Sequence, residues 1–189
     1  PNLAQVPSDE RFRRLFKASP GLVMVGSDLA GIELRLLAHY LARYDGGRYA
    51  DIILNGDIHA ENAKKIGITR KEVKTVTYAF LYGAGNQKLG TSFDAPLSEE
   101  AAKRKGKEIR KAYVDAIPGL SSLLEAVKRA AERGYVCGLD DRRISVDQGH
   151  KSLNYLIQGS AAIIAKRWMM VANEQLNEHT HQLAFIHDE

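Results

Sequence analysis

Cysteine is nearly missing from this chain: a single thiol, Cys137, excludes an internal disulfide and offers no metal-binding spacing. There is no apolar run long enough to cross a membrane and no signal peptide, so the expected setting is the cytoplasm, with no membrane partner. No internal repeat and no low-complexity tract interrupts the sequence. A large excess of one charge is lacking too. A net charge of +4 is modest for a protein that binds nucleic acid, so any positive potential must be local. What remains is 189 residues with 44% hydrophobic content, enough for a sizeable core.

Against that background one pattern stands out: Arg70, Lys74, Tyr78 and Tyr82 recur at a spacing of four and are followed at once by Gly83. In a helix, steps of four precess only about 40° around the axis. Arg70, Lys74 and Tyr78 therefore share a face, with Tyr82 at its edge. Two cations and then two phenols on one stripe suit a nucleoside triphosphate, the cations facing phosphates and the rings lying near sugar and base. Thr69 and Glu72 form a capping box that makes Arg70 the first helical residue, and Gly83 and Gly85 end the run. The positive end of the helix dipole and both cations then point the same way. Taken alone, the stripe also fits a solvated basic face backed by core aromatics.

Carboxylates at the ends of apolar runs form a second constellation. Leu22 to Val25 reads as a short buried strand delivering Ser27 and Asp28 to its end, and Ile32 to Tyr44 has helical periodicity. Near the other terminus, Leu183 to Ile186 is a second apolar run that stops on His187, Asp188 and Glu189. Carboxylates converging from separate strands suit magnesium, which takes oxygen ligands and keeps waters and substrate phosphates in its shell. A pair of such ions about 4 Å apart activates an attacking oxygen and steadies a leaving one.

Three segments, Ser27-Asp28-Leu29-Ala30-Gly31-Ile32-Glu33-Leu34-Arg35, the stripe from Arg70 to Gly83, and His187-Asp188-Glu189, resemble motifs A, B and C of the family A DNA polymerases, in the family's order. Further matches lie at Pro1 to Pro7, Gly56-Asp57-Ile58-His59, Gly138 to Arg142, and Leu153 to Gln158; several most resemble the replicative enzymes of short-tailed phages. The resemblance implies a mixed α and β, predominantly helical fold, in which a partial palm of few strands and a long helix joins the helical fingers of a right-hand polymerase. Residues 1–45 would be partial palm with motif A, 46–145 fingers, and 146–189 the palm return helix and strand ending in motif C. The thumb, the C-terminal palm and any exonuclease domain would be absent, and the fragment alone need not be active. Within it, Leu97 to Gly134 reads as two helices broken at Ile117-Pro118-Gly119. A helix from about Ser152 to Asn177 carries Ala161, Ile164, Ala165, Trp168 and Val171 as core.

The same resemblance implies the chemistry: template-dependent addition of deoxynucleoside triphosphates to the 3'-hydroxyl of a primer-template DNA during phage replication, in the host cytoplasm. Asp28, the carbonyl of Leu29 and Asp188 would hold two Mg2+ ions, with Glu189 nearby. Arg70, Lys74 and His59 would contact the triphosphate, Lys74 also serving the departing pyrophosphate. Glu33 matches the steric gate against ribonucleotides, Tyr78 the position that governs dideoxynucleotide acceptance, and Tyr82 the neighbour of the templating base. Asn2, Gln5, Arg142, His150, Asn154 and Gln158 would contact DNA, the last three aligned one helical turn apart. Ala79 departs from the family's usual Gly. The cations from Lys103 to Lys111 fit either template phosphates or a solvated helix face. Two other classes stay open: a metal-dependent phosphohydrolase built on His59, His187 and Asp188, and a nucleic-acid-binding module without turnover.

Overall fold

A computed structural model describes residues 5–7, 9–92 and 97–186; Asn2, His187, Asp188 and Glu189 lie outside the described residues. The chain divides into two compact units, Glu33–Ser160 and the described residues of Pro1–Ile32 with Ala161–Glu189. The secondary structure is mixed α and β and predominantly helical.

The larger unit is built from amphipathic helices separated by stop signals. It comprises most of α2 (Ile32–Asp45), then α3 (Arg48–Asn55), α4 (Ile58–Ile66) and α5 (Arg70–Leu81). The capping box of α5 forms as its sequence predicts. Thr69 Oγ1 accepts from the Glu72 amide at 3.3 Å, and the Glu72 carboxylate accepts from the Thr69 amide at 2.7 Å. Val73, Val76, Thr77, Phe80 and Leu81 form its buried face. Its C-terminal end is a Schellman turn around Gly83, whose φ of 69° is open to glycine at little cost. The Gly83 amide donates to the Phe80 carbonyl at 3.0 Å and the Ala84 amide to that of Ala79 at 2.8 Å. Tyr82 is therefore the cap residue, one step past the last helical turn.

Helices α6 (Asn86–Thr91) and α7 (Glu99–Ala116) meet backbone to backbone. A Cβ on Gly90 would lie 1.9 Å from the Ala102 carbonyl oxygen, and one on Gly106 would lie 1.8 Å from that of Asn86. The break at Ile117 to Gly119 leads into α8 (Leu120–Ala131), which buries Leu120, Leu123, Val127 and Ala131. A short antiparallel hairpin follows, β1 (Tyr135–Cys137) with β2 (Arg143–Ser145), pairing Val136 with Ile144. Cys137 is exposed on it. A 3-10 turn at Gly149–Lys151 opens onto α9 (Ser152–Glu174), whose first half buries Leu153, Leu156, Ile157 and Ser160. Tyr40 on α2 and Ser160 on α9 share a hydroxyl hydrogen bond of 2.6 Å.

In the smaller unit, α1 (Glu10–Arg13) is a single turn capped by Asp9. The buried strand expected at Leu22 to Val25 does not form: the segment is irregular, with Leu22 60%, Val23 85%, Met24 52% and Val25 84% exposed. Leu183 to Ile186 is irregular as well, and Leu183 is 77% exposed. A strand needs a ladder partner to satisfy its backbone, and the hairpin is the only ladder among the described residues. On the second half of α9, Ala161 and Ala165 are buried as expected, whereas Ile164 and Val171 are exposed. Trp168 is half-buried; helical spacing put all five on the core side, but the described residues supply no layer over Ile164 and Val171.

A Gly→Ala change inside a helix ordinarily stabilises it by up to about 1 kcal/mol. At Gly106 the sign reverses, because the methyl group meets the Asn86 backbone and not a movable side chain. Gly106→Ala is expected to destabilise the chain by about 1–3 kcal/mol, read as a lowered midpoint in a circular dichroism melt. An unchanged or raised midpoint contradicts the close approach.

Candidate functional site

The N-terminal half of α5 gathers charge around a buried imidazole. Arg70 Nε donates to Asp57 Oδ2 at 2.6 Å, and Asp57 also caps α4 by accepting from the amides of His59 and Ala60 at 3.0 and 3.1 Å. The guanidinium beside it is the main reason the Asp57 carboxyl is held below the usual carboxylate range. Both side chains are substantially exposed, so the pair contributes orientation more than stability. Lys74, one turn on, is exposed. His59, written above as a phosphate contact, is buried, with its ring centroid 6.3 Å from that of Tyr78. Its Nδ1 has no hydrogen-bond partner among the described residues. Burial lowers its pKa, and Arg70 and Lys74 add to this while Asp57 opposes it.

Beneath this face lies a polar cluster drawn from four helices: Tyr49 on α3, Asn62 on α4, Thr77 on α5 and Tyr113 on α7. The side-chain polar atoms of all four are out of water without a hydrogen bond of ordinary geometry among the described residues. Burial pushes the Tyr113 phenol up to about 12 and that of Tyr49 well above its ordinary value. Tyr113 adds to the rise at Tyr49, and the Phe80 and Tyr113 rings pack 5.1 Å apart.

Beyond α5 the turn is held from three directions. Tyr82 donates its hydroxyl to Glu33 Oε1 at 2.7 Å, joining two residues to which the sequence assigned separate duties; Glu33 is buried and Tyr82 is 55% exposed. Asn154 Nδ2 donates to the Leu81 carbonyl at 2.8 Å. Arg110 donates Nε to Asn86 Oδ1 at 2.8 Å and a second N–H to the Ala84 carbonyl, and its guanidinium lies 5.5 Å from the centre of the Phe80 ring.

The remaining expected residues are distributed as follows. Gln158, on α9 with Asn154, has a buried Nε2 without a partner among the described residues. His150 is exposed on the 3-10 turn ahead of α9, and so does not continue the α-helical line assumed for it. Arg142 is exposed before β2 and pairs with Asp140 at 3.1 Å, and Gln5 is exposed. The basic run of α7 resolves into different environments. Lys103 and Lys111 pair with Glu99 and Asp115, each at 2.6 Å, while Arg104 and Lys107 line an open cleft of about 590 Å³ with Gln87. In the smaller unit Asp28 is exposed, and the Leu29 carbonyl accepts from the Ile32 amide at 3.2 Å, which leaves its second lone pair. Both are hard oxygen donors of the kind magnesium takes. Among the described residues, no group of three or more His, Cys, Asp or Glu side chains could hold a metal.

Asp57 and Arg110 are the residues that sequence reasoning passed over. Asp57 carried the signal of an N-cap directly before a helix. Arg110 carried a periodic one: with Ala102 and Gly106 it continues, at steps of four, the stripe that α7 buries.

Residues 1–189 match the family described as DNA polymerase family A. The DNA-directed DNA polymerases of Enterobacteria phage T3 and Escherichia phage T7 are each 35% identical to the chain over 227 aligned residues, covering 100% of it and 31% of their own length. The thermostable DNA polymerase I of Thermus aquaticus is 28% identical, across 100% of the chain and 25% of its own length. The chain therefore spans about a third of the length of the curated phage relatives it matches. Matched from its first residue to its last, it belongs to DNA polymerase family A.

Proposed function

We propose that this chain is the nucleotide-selecting segment of a DNA-directed DNA polymerase that adds deoxynucleotides to the 3'-hydroxyl of a primer on a template in phage DNA replication. The observation that carries the reading is the outer face of α5 together with the first turn of α4 beside it. A guanidinium oriented by Asp57, an exposed lysine one turn later, a buried imidazole and a phenol form a short sequence of phosphate, sugar and base partners. In domain terms, residues 46–145 are fingers, and 1–45 with 146–189 are partial palm.

Asp28, the Leu29 carbonyl and Asp188, with Glu189 beside them, would hold two magnesium ions, which supply activation of the attacking hydroxyl and charge neutralisation at the leaving group. The other tasks fall to side chains of this chain. Arg70 and Lys74 hold the triphosphate so that the α-phosphate is in line with the primer, and Lys74 offsets or protonates the departing pyrophosphate. His59 adds a donor at the same phosphates. Glu33 fills the space a ribose 2'-hydroxyl needs, and its bond to Tyr82 supports a single orientation for both. Tyr82 lends its exposed ring to the templating position. Gln158, whose Nε2 has no partner among the described residues, suits a minor-groove acceptor that every correct base pair presents alike. Asn154, His150, Arg142, Gln5 and Asn2 complete the duplex contacts, Asn154 through its carbonyl oxygen, since its amide nitrogen serves Leu81.

Primer extension with magnesium, using a phage polymerase that carries this segment in place of its own matching third, tests the reading. Template-directed extension is expected, with a loss of at least about a hundredfold in Asp28→Ala at similar duplex affinity. Equal extension by the two proteins overturns the role of Asp28, and duplex binding without extension by either favours the binding module.

Selectivity at Tyr78 gives a separate test. The native segment is expected to be stopped readily by dideoxynucleotides, and Tyr78→Phe to reject them by about tenfold or more, the worth of one hydroxyl contact. Equal discrimination by the two proteins removes Tyr78 from this role.

A triphosphate beside His59 favours its charged form, so binding takes up a proton there. Because the free imidazole has a lowered pKa, affinity is expected to rise as pH falls below its ordinary value of 6.5 toward the lowered one. His59→Gln should flatten that rise in a fluorescent-nucleotide titration. The nucleotide's own protonation is common to both proteins, so parallel curves rule out the contact.

A further inference from the structure

The turn that carries Tyr82 ends in a charge with an unusual set of partners. Arg110 is half-buried, and its partners among the described residues are a carbonyl, an amide oxygen and a ring face, with no carboxylate. Burying a guanidinium costs free energy, and the position lies on an α7 stripe otherwise occupied by Ala102, Gly106 and Tyr113, where an apolar side chain would pack without that cost. What an apolar residue cannot do is bind two acceptors at once. The planar fork of Arg110 reaches Ala84, two residues beyond Tyr82, and Asn86, the first residue of α6. It also stands at the C-terminal end of α5, where the dipole favours a cation.

From this geometry we propose that Arg110 is a positioning residue. By pinning the Ala84 peptide and Asn86 it prevents the turn from pivoting at Gly83 and Gly85. It thereby fixes the orientation of the Tyr82 ring and sets how strictly the site rejects a mispaired nucleotide. Tyr82 is then defined from both sides: its hydroxyl by Glu33, and its backbone by Asn154 at Leu81 and Arg110 at Ala84. Arg110 touches no substrate in this scheme, and Lys does not replace it, since an ammonium lacks the planar fork. The selectivity part rests on the polymerase reading of α5, whereas the pinning of the turn does not.

Two measurements separate those parts. In the chain itself, Arg110→Met should speed amide hydrogen exchange at Gly83, Ala84 and Gly85 by about tenfold, as expected for loss of charge-assisted hydrogen bonds, while the amides of α8 keep their native rates. Unchanged exchange at the turn overturns the positioning role. In a polymerase carrying the segment, the ratio of kcat/KM for a correct over a mispaired nucleotide should fall about tenfold in Arg110→Met, with KM for the correct nucleotide nearly constant. Arg110→Met combined with Tyr82→Ser should discriminate no worse than Tyr82→Ser alone, because both act through one ring. Full additivity, or native discrimination in Arg110→Met, overturns the selectivity claim. A native segment that extends no primer overturns the polymerase reading and this claim with it, while the exchange result stands on its own. If Arg110→Met loses its fold, Arg110→Lys and Asn86→Ala replace it, each expected to loosen the turn and relax discrimination in the same direction.

Discussion

Backbone contact between α6 and α7 is possible only because Gly90 and Gly106 have no side chains, and the local architecture depends on that contact. Once the two helices touch, the inner stripe of α7 is fixed in depth and rotation. Tyr113 then meets Phe80 on the underside of α5, and Arg110, almost one turn earlier, arrives at the end of the same helix. A Cβ at either glycine, 1.8 or 1.9 Å from a carbonyl oxygen, would have to retreat by about 1 Å or more to reach ordinary contact, and a shift of that size stretches the hydrogen bond between Arg110 and Ala84. A pair of missing methyl groups thus controls polar chemistry one helix away.

The two ends of α5 use positive charge in different ways. At the N-terminal end Arg70 and Lys74 remain exposed to water, and the carboxylate of Asp57 aims the guanidinium. Charges in that state are screened and weakly held, which suits groups whose partner comes and goes. At the C-terminal end the cation is drawn inside and satisfied by neutral oxygens, which suits a permanent fastening. The modest net charge of +4 conceals this arrangement, because the distribution along one helix matters more than the sum.

How far the sequence could be read depended on whether the deciding partner was local. The capping box at Thr69 and Glu72, the glycine stop at Gly83 and the break at Ile117 to Gly119 are set by neighbours within a few residues, and all three appear where expected. The strands expected at Leu22 to Val25 and Leu183 to Ile186 depended on distant pairing partners, and an apolar run records only a need for cover. The β1–β2 hairpin went unread for the opposite reason, since three-residue strands are too short to show alternation. In the candidate site the shared face of Arg70, Lys74 and Tyr78 follows from i, i+4 spacing alone. The bond from Arg70 to Asp57 spans 13 positions and the bond from Tyr82 to Glu33 spans 49, distances at which periodicity carries no information. Arg110 was hidden by its own neighbours, because six cations in a short run look like one solvated face until the helix is rotated to show which one points inward.

The buried phenols under α5 set a limit at the alkaline end of the pH scale. Tyr113 keeps its proton up to about 12 in the folded chain, and Tyr49 also holds its own well above the ordinary value of 10. An unfolded chain releases both near 10, so above that pH the unfolded state binds fewer protons than the native one, and stability falls with each further unit. Below 10 the two phenols are neutral in both states and the effect vanishes. The helix bundle beneath the nucleotide face is thus insensitive to these groups at neutral pH, yet base weakens it from within, through hydroxyls that ionise more readily once the helices part.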